Sequence, residues 1–384
     1  MANITGTNGN DVLNGTEKND VIVGLDGNDV LNGKGGKDVL VGNRGADKHN
    51  GGHGDDTIVW NNGDGSDTND GGSGKDTQVV NGANAAGDSF EVRTGGNDFL
   101  FDRVNLVPFK LNDKNIEKLE VNGGGGHDSL KVFDLAGSDL KEIHFKGGAG
   151  NDSLDASATS VPVKAWGGDG HDTLLGGSGN DELNGDAGND VLIGNRGSDK
   201  HNGGHGNDTI VWNNGDGSDF NNGGSGRDTQ VVNGANAAGD EFVVKGTGNN
   251  SFVFDRVNLV PFKLTDKNIE KLDVSGGGGD DKLIVGNMNG SGVEKIIFKG
   301  GDGKDFMDAS KSHVAVEASG GVHNDHLIGG FGDDVLKGDA GDDRLVGGKG
   351  HDKLFGGAGH DTFFVEKFSE IADFQHGIDK FFIV

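Results

Sequence analysis

No cysteine occurs in the sequence, which excludes a disulfide framework and thiol chemistry. Only 3 prolines are present, and no collagen-like triplet accompanies the 76 glycines. Basic residues are scarce beside acidic ones, and the net charge of −28 argues against nucleic acid, which needs a basic surface. The N-terminal stretch MANITGTNGNDVLNG has neither a basic n-region nor an apolar h-region, so it does not read as a Sec signal peptide. No apolar run approaches transmembrane length. HExxH, G-x-S-x-G and G-x-x-x-x-G-K-[ST] are all absent, and the expectation is a protein that is not an enzyme.

Hydrophobic content of 32% together with that charge would ordinarily mean disorder. What is present changes the reading. Residues 167–193 run GGDGHDTLL, GGSGNDELN, GDAGNDVLI, three nine-residue units that fit G-G-x-G-x-D-x-U-x, with U a large apolar residue. The glycines permit backbone angles with φ > 0, so the chain turns tightly with its carbonyls directed at a cation. The Asp supplies a hard carboxylate oxygen of the kind Ca²⁺ takes. The x-U-x tripeptide is a minimal strand with U inward.

The unit recurs along the chain and places one aspartate per repeat. In a first block these are Asp11, Asp20, Asp29, Asp38, Asp47, Asp56, Asp67 and Asp76. A second block carries Asp128, Asp152, Asp172, Asp181, Asp190, Asp199, Asp208, Asp219 and Asp228. A third carries Asp281, Asp305, Asp325, Asp334, Asp343, Asp352 and Asp361. If two nonapeptides make one turn, loops on the same side recur every 18 residues, and turns widened to 20 or 24 residues extend the pairing. Successive loops then share cations, and the count of pairs predicts between about ten and eighteen calcium ions, with folding and binding a single event. The unit GTEKNDVIV has Lys18 where the second structural glycine belongs, and a weakened or missing site is expected there.

The expected fold is all-β: a parallel β-roll, a right-handed β-helix solenoid with calcium-binding nonapeptide turns and two inserted β-hairpin modules. The segments are a roll at 1–79, a hairpin insert at 80–122, a middle roll at 123–231, a second insert at 232–275, a roll at 276–362 and a cap at 363–384. Residues 42–86 and 194–238 differ at five of 45 positions, and FDRVNLVPFKL occurs identically at 101–111 and 254–264.

Some positions break the pattern. His49, Asn69 and Gln78 occupy U positions, as do His201, Asn221 and Gln230 in the second copy. Polar groups on an inward face need partners. One reading has the roll opening there against the insert, leaving these residues half-exposed. The other is a metal or ligand site at His49 and His53, copied at His201 and His205. Arg103 beside Asp102, and Arg256 beside Asp255, read either as an ion pair docking the insert onto the roll or as a recognition surface. Trp60 and Trp212 read as packing under the insert or as stacking on a glycan.

The nonapeptides, and the D-F-x-x-G-x-D-x-F pattern at Asp373–Phe381, resemble RTX proteins, the secreted bacterial family defined by these repeats. The resemblance implies an extracellular or cell-surface location, reached by type I secretion through a C-terminal signal without a cleaved N-terminal leader. It also implies folding on Ca²⁺ outside the cell. No toxin or hydrolase domain accompanies the repeats, so the chain is similar to repeat-only members. The function expected is a structural or adhesive protein of the cell surface or extracellular matrix. Its expected partners are further copies of itself, cell-surface polysaccharide and the secretion machinery. A host-interaction effector similar to rhizobial nodulation-signalling proteins, and a carbohydrate-binding module, are the alternatives.

Overall fold

Strands of three to eight residues alternate between two sheets because each nonapeptide offers one loop and one x-U-x tripeptide. The computed structural model describes residues 1–95 and 98–384. They divide into two compact units, Met1–Gly197 and Ser198–Val384. Each is a parallel β-solenoid, and the one helical element among the described residues is a 3₁₀ turn at Phe368–Glu370.

In the first unit Asn3–Thr5, Val21–Val23, Val39–Val41 and Thr57–Asn61 pair in parallel in one sheet. Val12–Asn14, Val30–Gly35, Lys48–His53 and Thr68–Ser73 do so in the other. Register advances by 18 residues where nonapeptides abut (Val21↔Val39), by 20 past Trp60-Asn61 (Thr57↔Thr77) and by 24 later (Ser129↔Ser153). After the first turn the second residue of each of these strands is buried: Ile22, Leu40 and Ile58 face the interior in one sheet, and Leu31 in the other. Such a core is one side chain deep per strand. One buried Leu or Ile per strand sets little apolar burial against the conformational entropy lost by every residue of the turn. Burial alone therefore leaves a nonapeptide turn short of stability.

The insert is not a module packed on the roll. Ser89–Gly95, Asp98–Arg103 and Phe109–Lys114 form an antiparallel meander. Its outer strands continue the sheet in parallel, Asn112 opposite Thr68 on one side and Ser89 opposite Ser129 on the other. The opposite sheet skips the insert, since Thr77–Asn81 pairs directly with Lys118–Gly125. Phe90, Phe99, Phe101, Phe109 and Leu111 fill the core behind the meander. The second unit repeats this arrangement. Glu241–Gly246, Ser251–Arg256 and Phe262–Lys267 are spliced between Phe220–Ser225 and Lys282–Val285, while Thr229–Asn233 pairs with Lys271–Gly278.

The polar U positions are buried, not half-exposed. His49, Asn69 and Gln78 are 3%, 1% and 0% exposed. His49, Asn69 and Asp113 are successive rungs of one sheet. The His49 Nδ1 and Asn69 Oδ1 atoms are hydrogen-bonded at 2.7 Å, and Asn69 Nδ2 donates to both Gln78 Oε1 and Asp113 Oδ1. Splicing in the meander supplies Asp113 as the partner the sequence pattern did not reveal. His201, Asn221, Gln230 and Asp266 reproduce the network in the second unit.

Candidate metal centre

The loop at Gly167–Asp172 shows how the motif builds a site. Gly168 has φ +107° and Gly170 φ +141°, so the backbone is left-handed at the second and fourth positions. A methyl group on Gly167 would collide with the Asp172 carboxylate and the Gly185 carbonyl of the next turn, which is why that position is glycine. The sixth-position aspartates form ladders in which an Asp N–H donates to Oδ1 of the Asp one turn on. Asp11, Asp29, Asp47 and Asp67 are joined in this way, as are Asp20, Asp38, Asp56 and Asp76, and then Asp128, Asp152, Asp172 and Asp190. In the second unit Asp199 donates to Asp219, Asp208 to Asp228 and Asp334 to Asp352. Asp281, Asp305, Asp325, Asp343 and Asp361 form one longer ladder there.

The second carboxylate oxygen divides the loops into two kinds. Where the second loop residue has φ > 0, its N–H is turned away and the Asp Oδ2 is buried without a hydrogen-bond partner. In the first unit this holds for Asp29, Asp38, Asp47, Asp56, Asp76, Asp128, Asp152 and Asp172, whose second loop residues are Leu25, Lys34, Asn43, Gly52, Gly72, Gly124, Gly148 and Gly168. In the second unit Asp228, Asp281, Asp305, Asp325, Asp343, Asp352 and Asp361 follow Gly224, Gly277, Gly301, Gly321, Asp339, Gly348 and Gly357 in the same way. These loops are open.

In capped loops the second residue stays out of the left-handed region and donates to Oδ2 itself. Thr7 caps Asp11, Thr16 caps Asp20, Gly177 caps Asp181 and Gly330 caps Asp334, with N–H to oxygen distances of 2.6, 2.7, 2.7 and 2.6 Å. The loop holding Lys18 is thus capped, and its carboxylate is satisfied by Thr16 N–H and Oγ1.

Burial dominates the electrostatics. It pushes Asp172, Asp281 and Asp325 up to about 7 and Asp47, Asp76, Asp128 and Asp343 up to about 6, with neighbouring carboxylates adding to the shift. Asp20 moves the other way because the Thr16 hydroxyl hydrogen-bonds its charged form. An orphaned, desolvated carboxylate oxygen facing others of its kind is the donor a hard divalent cation requires, so the open loops fit Ca²⁺. Among the described residues no three His, Cys, Asp or Glu side chains gather at one point. Each open loop brings its sixth-position carboxylate, some with a further aspartate such as Asp26 or Asp339, and main-chain carbonyls are the other oxygens available to a cation there.

Asp67 and Asp219 sit in the widened loops. Burial raises them to about 8 and about 7. There Trp60 Nε1–H donates to the Gly65 carbonyl and Trp212 Nε1–H to that of Gly217, each at 2.9 Å, which occupies a loop oxygen. Both indoles are 1% exposed, stacked on Phe109 and Phe262 at 3.7 Å, and are closed to glycan stacking.

The histidine pairs are not brought together. His49 lies in the core, whereas His53 is exposed and hydrogen-bonded to Ser73 Oγ, and His201 and His205 part in the same way. Arg103 is buried but pairs with Asp88 at 3.1 Å, not with Asp102, which is held by Arg93. Arg256 pairs with Asp240 likewise.

Five ladder acids escape a nonapeptide search. Asp88 and Asp240 donate to Asp128 and Asp281, and Asp379 accepts from Asp361. Glu117 and Glu270 accept from Asp76 and Asp228. The signal that finds all but Asp379 is an acid two residues before an inward apolar side chain, as in Asp88-Ser89-Phe90 and Glu117-Lys118-Leu119.

Comparison with known families agrees with this geometry. The RTX calcium-binding nonapeptide repeat matches at residues 5–40, 33–59, 144–158, 166–200, 319–354 and 337–366, and the two longest stretches outside are 60–143 and 201–318. No curated protein matches the chain. Open loops in both units and the matched repeats lead to one conclusion: over 5–59, 144–158, 166–200 and 319–366 the chain carries RTX-type nonapeptide repeats, which bind Ca²⁺.

Proposed function

We propose that the chain is a secreted, calcium-stapled structural or adhesive protein of the cell surface or extracellular matrix, not an enzyme, carrying between about ten and eighteen calcium ions. The observation behind the calcium reading is the row of buried, unpartnered Oδ2 atoms in the open loops. Unfilled, these carboxylates repel and oppose the fold; filled, they bind successive turns together. Such a chain stays unfolded at the low calcium of the cytosol, passes a secretion channel in that state and folds outside. Type I secretion is the route this logic favours, and no helix among the described residues is long and apolar enough to cross a membrane.

The adhesive reading rests on the two copies of Val-Asn-Leu-Val-Pro. Val104, Leu106 and Val107 are 51%, 51% and 73% exposed, and Val257, Leu259 and Val260 match them. The tip is held from within: Arg103 Nε donates to the Val107 carbonyl, and Asn105 Nδ2 to that of Gly87. The sequence about the tip, FDRVNLVPFKL, is identical in both copies, whereas the stretch before it diverges, with RTGGND in one and KGTGNN in the other. Rigid apolar tips suit contact with further copies of the chain or with another surface component. Sedimentation at millimolar Ca²⁺ should show species larger than the monomer, reduced by Val107→Ser with Val260→Ser; a wild-type chain that stays monomeric and binds no cell-surface material contradicts this role.

A further inference from the structure

The ladder through Asp38, Asp56 and Asp76 does not end where the nonapeptides end. Asp76 N–H donates to Glu117 Oε2 at 2.7 Å, so a glutamate occupies the place held elsewhere by the next-turn aspartate. The backbone follows suit. A methyl group on Gly51 would strike the Gly71 carbonyl, and one on Gly71 would strike that of Asn115, so Asn115 stands where the next loop's first glycine belongs. Five residues separate Gly71 from Asp76, but two separate Asn115 from Glu117. The extra methylene of glutamate lets a carboxylate reach the same slot from a loop three residues shorter. The second unit repeats each feature: Asp228 N–H donates to Glu270 Oε2 at 2.8 Å, and Asn268 lies against Gly223.

Two further facts point to a ligand. Asp76 and Asp228 are 1% and 0% exposed, and the Oδ2 of each, from open loops, is unpartnered. Neither Glu117 nor Glu270 forms an ion pair among the described residues, although lysines are common on the surrounding sheet faces.

We infer that Glu117 and Glu270 are calcium ligands, each completing with the preceding open loop, Gly71–Asp76 or Gly223–Asp228, a site outside the recognised nonapeptides. The inference rests on the calcium reading above. In it the cation stack on this side runs up to the spliced meander instead of stopping one loop short. A hydrogen-bond cap on the Asp76 amide is the competing role, and Glu→Gln separates the two, because glutamine keeps an acceptor for that N–H and loses the charge.

The test is calcium stoichiometry on the full chain, by atomic emission after desalting and by calorimetric titration, for wild type and for E117Q/E270Q. The double variant is expected to retain two ions fewer per chain with an unchanged far-ultraviolet spectrum in saturating calcium. Equal counts in both proteins overturn this inference alone, whereas a wild-type chain that takes up no calcium overturns the parent reading with it. Should the variant not fold, anomalous scattering from calcium in wild-type crystals decides the matter. A peak within about 2.6 Å of a Glu117 carboxylate oxygen is expected, and its absence there and at Glu270 refutes the assignment.

Discussion

Nonapeptide turns bury one aliphatic side chain per strand, as Ile22, Leu40 and Ile58 do, and leave carboxylate oxygens such as Asp38 Oδ2 orphaned in the interior. The spliced meander beside them buries five large apolar side chains over three strands. It also answers its one ladder carboxylate from within the chain. Asp88 Oδ1 takes Arg103 Nη1 at 3.1 Å while Oδ2 takes the Ala83 N–H, with the guanidinium 5.2 Å from the ring centres of Trp60 and Phe109. Where the roll waits for an external cation, the meander carries its own. A fold so thin in apolar contacts needs charge neutralisation at every turn, and the two regions differ in where the positive charge comes from.

The largest expected effect follows directly. Under chelation, amide hydrogen exchange should become fast throughout the 18-residue turns, while the amides of Asp98–Arg103 and Ser251–Arg256 should be the last to lose protection. Uniform exchange across both regions would erase the distinction.

Acidification should partly replace the metal. Among the open-loop carboxylates, Asp47, Asp172 and Asp281 have folded pKa values raised to about 6, 7 and 7 by burial, against 3.8 for the ordinary group. A raised folded value means the fold binds the extra protons, so this stabilisation is complete below about pH 3.8 and is lost as pH rises through 6 to 7. The calcium-free chain should therefore hold more β-structure at pH 5 than at pH 8, as read by circular dichroism. With calcium present the sign reverses, because protons and Ca²⁺ compete for the same oxygens, and the calcium midpoint should rise on acidification.

Removing the built-in cation comes next. Arg103→Ala leaves Asp88 buried and unpaired, which costs about 3–5 kcal/mol in denaturant unfolding at saturating calcium, and added calcium should not restore it. Below that lies His49→Leu, which strips the donor from Asn69 Oδ1 in the interior and costs about 1–3 kcal/mol. The smallest effect is Lys34→Gly at φ +73°, where relief of a strained left-handed residue offsets the lost chain stiffness, leaving a gain of at most about 1 kcal/mol in thermal unfolding.

The solenoid and its 18-, 20- and 24-residue turns were legible in the sequence, because glycine and aspartate spacing reports loop geometry directly. The ladder partners among the nonapeptide aspartates of each unit were legible for the same reason. What the spacing could not convey is the φ of the second loop residue. Leu25 and Lys34 adopt left-handed backbone without being glycine, whereas Gly177 and Gly330 do not adopt it although they could. The choice depends on what the next turn offers, which is tertiary information. The meander misled for a related reason. Alternating apolar residues announce strands but not their neighbours, so Asp113 beneath Asn69 and Asp88 against Arg103 came into view only once the insert was seen inside the sheet.

The central claim, that external calcium neutralises the roll and thereby folds it, is tested most directly by far-ultraviolet circular dichroism of the whole chain titrated with Ca²⁺ from chelator to millimolar concentration at pH 7.5. A cooperative passage from a disordered spectrum to a β-sheet spectrum is the predicted result. The same β-sheet spectrum in chelator and in calcium would contradict it.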